Sequence, residues 1–143
     1  RAASRGVPLL GICLGFQLMF QGGEEGGKTD GLGLFPGWTR PLRALQGYDG
    51  ELVPHVGWKK IFLDGNPQSF PLAIQSEPHM YFAHSFAAEL GEKFAPRLSA
   101  FFGLSPFLAG VFDKKIWGVQ FHPELSGSLG RDFLRNFIEL SSS

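Results

Sequence analysis

Hydrophobic and polar positions change period several times along the chain, and each change marks an element. Val7-Pro8-Leu9-Leu10-Gly11-Ile12 is short and continuously apolar, the pattern of a strand covered on both faces in a parallel α/β sheet. Beyond Cys13, Leu14, Leu18 and Met19 fall at helical spacing, and Gly22-Gly23 supplies a stop. The order is strand, sharp turn, helix. The Gly-rich stretch from Glu24 to Gly37 reads as a loop long enough to be functional. Short strand candidates punctuated by Pro and Gly follow at 38–42, 52–56, 59–63, 80–84, 98–102, 108–112 and 116–121. Asp113-Lys114-Lys115 reads as a tight hairpin turn between the last two. A closing helix is capped by Ser126 or Ser128 and lays Leu129, Phe133, Leu134, Phe137, Ile138 and Leu140 along one face, with Arg131, Asp132, Arg135 and Glu139 outside. Ser141-Ser142-Ser143 is expected to fray. These elements predict an α/β fold: a mostly parallel sheet flanked by helices, with a late antiparallel hairpin.

Composition narrows the function classes. A chain of 143 residues, 43% hydrophobic and 18% charged, suits one domain with a real core and excludes a disordered tail. Thirteen basic and thirteen acidic side chains cancel, leaving no basic footprint for nucleic acid or an anionic membrane. The longest apolar run, Val7 to Phe16, is about ten residues against the roughly 20 of a spanning helix. A single cysteine, Cys13, excludes an internal disulfide and suits a reducing, cytoplasmic setting. The chain opens with RAASR rather than Met and enters an apolar strand within a few residues, with no signal-peptide pattern. That suggests a sequence beginning inside a domain.

Two motifs carry chemistry. Gly11-Ile12-Cys13-Leu14-Gly15 places a thiol between strand and helix, the cysteine form of a nucleophile elbow. There the helix dipole favours thiolate, and the Leu14 amide faces a developing oxyanion; the alternative is a small cysteine buried for packing. A thiol nucleophile needs a base held by a third group. In Gln120-Phe121-His122-Pro123-Glu124 a histidine ends a strand and a carboxylate two residues on can fold back to it; the alternative is an ordinary turn. The remaining histidines lie far apart and share no metal-ligand spacing with carboxylates, so neither metal nor cofactor is expected. Ser126-Gly127-Ser128-Leu129-Gly130 opens a helix and is explained by capping, with anion binding the lesser alternative.

The two motifs together resemble the class I glutamine amidotransferases, whose triad runs Cys, His, Glu. Between them Gly31-Leu32-Gly33-Leu34-Phe35-Pro36-Gly37, Pro54-His55-Val56-Gly57-Trp58 and His84-Ser85-Phe86 resemble the glutaminase subunits of imidazole glycerol phosphate synthase. The likeness covers Val7 to about Leu140. It implies one glutamine amidotransferase domain over 1–143, hydrolysis of glutamine through a Cys13 thioester, His122 as acid and base, and Glu124 as its orienter. It further implies substrate contacts at Gly15, Gln17, Glu25, His84, Ser85 and Phe86. A cyclase subunit would be the heterodimeric partner that receives ammonia, with His55, Trp58 and Leu125 near the interface. Each has a plain alternative: Gln17 a polar helix residue, Glu25 a solvated charge, Ser85 and Phe86 a strand end, His55 and Trp58 core packers.

Departures from the family pattern bear on these roles. Lys59 stands where Asn is usual, Phe86 where Tyr is common, and Leu125 where a Lys at the partner contact is usual. Family members also carry a further segment before the elbow that donates a second oxyanion amide, so this chain is expected to be N-terminally incomplete. Two rival readings follow: a thiol hydrolase of γ-glutamyl or peptide bonds on the same fold, and an inactive remnant.

Overall fold

The computed structural model describes residues 5–72 and 78–142. The opening residues 1–4, on which part of the incomplete-start reading rests, and Ser143 lie outside the described residues. In chain order the elements are β1 (Leu9–Ile12), α1 (Leu14–Gln17), β2 (Gly22–Gly23), β3 (Thr29–Asp30), β4 (Trp38–Pro41), β5 (His55–Lys60), β6 (Phe62–Asp64), β7 (His79–His84), β8 (Phe86–Ala88), β9 (Arg97–Phe102), β10 (Ser105–Asp113), β11 (Ile116–Val119) and α2 (Gly127–Ser142).

The central sheet has the order β1-β11-β10-β9-β6, and two smaller sheets run β3-β2-β4-β8 and β5-β7. Among the described strands only β1 with β11 and β2 with β4 pair in parallel; the other ladders are antiparallel. The α/β architecture stands, but the sheet is mixed rather than mostly parallel. Parallel neighbours need a crossover of a dozen or more residues, and short turns join β9, β10 and β11 as hairpins. One such turn is Lys114-Lys115, closed by Asp113 opposite Ile116, with Lys114 at φ 51°.

The sheet carries apolar side chains to both faces. Phe107, Ala109 and Phe112 of β10 join the larger cluster under α2 with Trp117, Phe121 and Phe133, whereas Leu108 and Val111 face Phe16, Met19, Phe20 and Phe35. β10 is therefore the strand covered on both sides. β1, expected in that role, keeps only Gly11 fully buried and is flanked on one edge by β11 alone among the described strands.

Several boundaries shift for visible reasons. The first helix ends at Gln17 because the following carbonyls turn to the loop: Leu18 accepts from Leu32 N–H, Met19 from Leu34 and Phe35, and Phe20 from Gly33. That loop also contains β3. The candidate strand at 52–56 is displaced to β5, that at 59–63 to β6, and β8 went unpredicted. In α2, Phe133 is buried while Ile138 is 63% exposed, outside the stripe it was assigned to. The Ser126 hydroxyl donates to the His122 carbonyl rather than capping the helix. Ser141 and Ser142 do not fray: their hydroxyls donate to the Phe137 and Ile138 carbonyls within the helix.

Two glycines explain how α1 seats on the sheet. Gly11 and Gly118 are register partners, and a Cβ on either would collide with the helix, at the Gly15 carbonyl in one case and the Phe16 ring in the other. Their absent side chains let α1 lie on bare backbone.

Candidate active site

Cys13 follows β1 and turns the chain at φ 52°, ψ −108°, a region that non-glycine residues rarely occupy. Its amide donates to the Val119 carbonyl at 2.8 Å and its carbonyl accepts from Gln17 N–H at 3.1 Å. The elbow is thereby pinned between β11 and α1, with the thiol raised above the sheet end. Sγ contacts the Ala83 carbonyl of β7 at 3.7 Å, and the Gln120 side-chain amide donates to it at the same distance.

Burial pushes the thiol pKa up, and the carboxylates of Glu124 and Glu25 add to that, whereas the Leu14 amide and Gln120 pull it down. The helix was expected to favour thiolate. Its four residues generate too little dipole to offset the desolvation of a half-buried sulfur. Burial and the two carboxylates thus favour the protonated thiol.

β11 runs parallel beside β1, so its C-terminal end opens beside Cys13. His122 Nδ1 lies 2.6 Å from Glu124 Oε1, so Nδ1–H donates to the carboxylate and Nε2 keeps its lone pair. The backbone holds this pair in place. His122 N–H donates to the Tyr81 carbonyl at 2.9 Å, and the Ser126 hydroxyl donates to the His122 carbonyl while accepting Tyr81 N–H. Gly130 packs against the Pro123 carbonyl with no room for a Cβ, which locks α2 onto the turn carrying Glu124. Cys13 thus directly follows β1, and His122 lies on the turn after β11, its parallel neighbour.

A cavity of about 280 Å³ lies beside α1, lined by Leu14, Gln17, Leu18, Glu25, Asp30 and Thr39 among others. Glu25 is exposed there, and Gly15, with ordinary backbone angles, faces open space. Gln17 is turned partly inward: its side-chain amide donates to the Phe86 carbonyl at 2.9 Å and to Gln120 Oε1 at 3.1 Å. Ser85 serves through its carbonyl, which accepts Leu42 N–H.

The other two site histidines are core residues. His84 Nδ1 lies 2.8 Å from the Phe86 carbonyl, and His84 Nε2 lies 2.8 Å from His55 Nδ1. A carbonyl only accepts, so His84 donates from Nδ1 and accepts from His55, leaving His55 Nε2 buried without a partner. Burial lowers His55 to about 3 and His84 to about 4, so both are neutral. At 3% exposure His55 is no surface residue, which corrects its assignment to an interface. Its place opposite His84 in the β5-β7 ladder, against Phe82, Phe102 and Phe107, explains the burial. Trp58 and Leu125 are exposed at 53% and 54%, with Trp58 edge-on to Tyr81. Sequence reasoning missed Gln120 and Asp30 as site residues. For Gln120 a signal existed, a polar residue inside an apolar strand two positions before His122; for Asp30 none did. Among the described residues no group of three His, Cys, Asp or Glu gathers as a metal site, and no helix is long and apolar enough to cross a membrane.

Comparison with known proteins matches this architecture. The sequence profile of class-I glutamine amidotransferases matches residues 1–140. Imidazole glycerol phosphate synthase subunit HisH of Moorella thermoacetica is 41% identical over 138 residues, covering 96% of this chain and 62% of that protein. The corresponding subunit of Synechococcus elongatus is 35% identical with the same coverage. The chain therefore spans about three-fifths of the length of these relatives. Among solved structures, a glutamine amidotransferase superposes with TM-score 0.59 at 22% identity, covering 99% of this chain and 65% of that one. PurLQS from Thermotoga maritima gives 0.62 at 19%, covering 96% and 64%; at such identities these likenesses concern the fold. With an elbow cysteine, a strand-end histidine and a profile that runs nearly the whole chain, the protein belongs to the class-I glutamine amidotransferase family.

Proposed function

We propose that the chain is a glutaminase domain that hydrolyses glutamine to glutamate and ammonia, with Cys13, His122 and Glu124 as its triad. The observation that carries the reading is the strained Cys13 elbow at the end of β1, next to the strand end where Glu124 holds His122 with Nε2 free. In this mechanism His122 Nε2 takes the Cys13 proton and the thiolate attacks the carboxamide carbon of glutamine. The Leu14 amide stabilises the oxyanion. Collapse breaks the C–N bond, and ammonia leaves with the proton returned by His122. Water, deprotonated by the same nitrogen, then attacks the thioester, releasing glutamate and restoring the thiol.

The cavity beside α1 is the place for the amino-acid head group. Glu25 and Asp30 supply carboxylates for the α-ammonium, Gly15 leaves space, and Gln17 is a wall whose amide nitrogen faces the core. Ser85 and Phe86 support that wall through their backbone, and His84 braces Phe86 from behind. The relatives are named as subunits of imidazole glycerol phosphate synthase, which supports a second subunit as partner; the reading takes it to be a cyclase that forms a heterodimer with this chain and receives its ammonia, in the cytoplasm. Exposed Trp58 and Leu125 are the docking candidates, with an apolar contact where Leu125 replaces the family's lysine.

The test is glutamate release from glutamine by the chain, alone and with a cyclase subunit and its nucleotide ligand, using Cys13→Ala as the blank. Release that requires Cys13 and rises with the partner is expected. Equal release by Cys13→Ala, or none under any of these conditions, overturns the reading.

A further inference from the structure

Gln120 is a fully buried polar side chain directly after β11, between the core residues Val119 and Phe121. Burying an amide is unfavourable unless its groups are paired, so its partners indicate its purpose. Its backbone N–H donates to the Ala109 carbonyl of β10 and fixes the strand end. Its Oε1 accepts from Gln17 Nε2 at 3.1 Å, and its own Nε2 lies 3.7 Å from Cys13 Sγ. Gln17 in turn cannot rotate freely, because Nε2 also donates to the Phe86 carbonyl, which accepts from His84 Nδ1 as well.

This chain of contacts has one direction. Gln17 has a donor at the Gln120 contact, so Gln120 must present oxygen there and aim its N–H groups at the sulfur. The amide cannot flip without placing two donors face to face. A fixed donor of this kind matters little to a neutral thiol, which is a weak acceptor, and much to a thiolate, since hydrogen bonds to ionised groups are roughly twice as strong.

Resting on the glutaminase reading, we propose that Gln120 is a catalytic residue, the side-chain donor that holds the Cys13 thiolate during attack, and that Gln17 is the positioning residue that fixes its orientation. The other groups acting on the sulfur frame the need for it. Glu124, on the turn after β11, and Glu25, after β2, both oppose ionisation, as does burial. From β7 the Ala83 carbonyl accepts from the thiol and offers nothing to the thiolate. Of the groups that act on the sulfur only the Leu14 amide and Gln120 favour the ionised form, and the Leu14 amide must also serve the oxyanion. Gln120 leaves that amide free to do so.

Cys13 is the sole cysteine, so the rate of alkylation by iodoacetamide across pH titrates this one thiol, with no need for glutamine turnover. Gln120→Met keeps side-chain length and removes the donor without adding charge. Its alkylation midpoint is expected to rise by about one pH unit, which makes alkylation near neutral pH about tenfold slower. Gln17→Met leaves Gln120 in place but releases its amide, and is expected to shift the midpoint in the same direction by less. Near-ultraviolet circular dichroism checks that each variant is folded. A packing role would lower stability and leave the midpoint alone. A folded Gln120→Met variant with the unaltered midpoint overturns the proposal; should that variant not fold, an unaltered midpoint in Gln17→Met overturns it instead. Loss of the glutaminase reading would show as absent turnover with the midpoints still shifted, so the two failures are distinguishable.

Discussion

At Cys13 the backbone takes an angle that costs on the order of 1–3 kcal/mol for a side chain, and the surrounding hydrogen bonds to Val119 and Gln17 hold it there. This much was legible, because glycines around a cysteine between strand and helix have few other uses. What those glycines do was less legible: Gly11 admits α1 to the sheet, whereas a side chain at Gly15 would meet only open space. The thiol's elevated pKa was not legible at all, since it arises from burial and from Glu124 and Glu25, which are distant in sequence. The His122–Glu124 contact was anticipated from their spacing, and it makes a prediction. Glu124→Gln removes the charge that fixes the His122 tautomer while leaving a partly exposed side chain of the same shape. Glutamine turnover is expected to fall roughly tenfold or more without vanishing, and stability to change by less than about 0.5 kcal/mol. Steady-state kinetics with a urea titration checks both, and an unchanged kcat would remove Glu124 from the triad.

Elements were read well where pattern is local and poorly where tertiary partners decide. The hairpin from β10 to β11 and the amphipathic α2 follow from turn chemistry and period. The ends of α1 and the exact run of β5 do not, because one depends on a loop that takes its carbonyls and the other on pairing with β7. That pairing buries His55 against His84, and a pH dependence follows from it. Both folded values, about 3 and about 4, lie below the ordinary 6.5. The unfolded chain therefore binds more protons between these limits, and folding stability must fall as pH drops below about 6.5, continuing towards the folded values. By pH 5 the loss is on the order of 2 kcal/mol for each imidazole. Urea midpoints at pH 7.5 and pH 5 measure it. His55→Phe, which removes one titrating group from an aromatic nest, is expected to halve the dependence, and a slope unaffected by that change would place the titration elsewhere.

For the molecule as a whole, the α/β class was legible and the direction of most strands was not. An apolar run reports burial, not the orientation of its neighbour; β1 carries the run expected of a doubly covered strand, and β10 is the strand that is covered. The candidate site was more legible than the sheet because its residues lie just past the ends of two strands that run parallel, Cys13 directly after β1 and His122 a few residues after β11. Gln120 and the His55–His84 pair escaped notice for the opposite reason, since their partners come from other elements. The glutaminase mechanism stands or falls with attack of the Cys13 sulfur on the carboxamide carbon of glutamine. Incubation with a glutamine analogue bearing a diazoketone in place of the carboxamide, followed by peptide mass spectrometry, tests it most directly. A single adduct on Cys13 is expected, formed more slowly when glutamine is in excess. An adduct that glutamine does not protect, or none on Cys13, would contradict it.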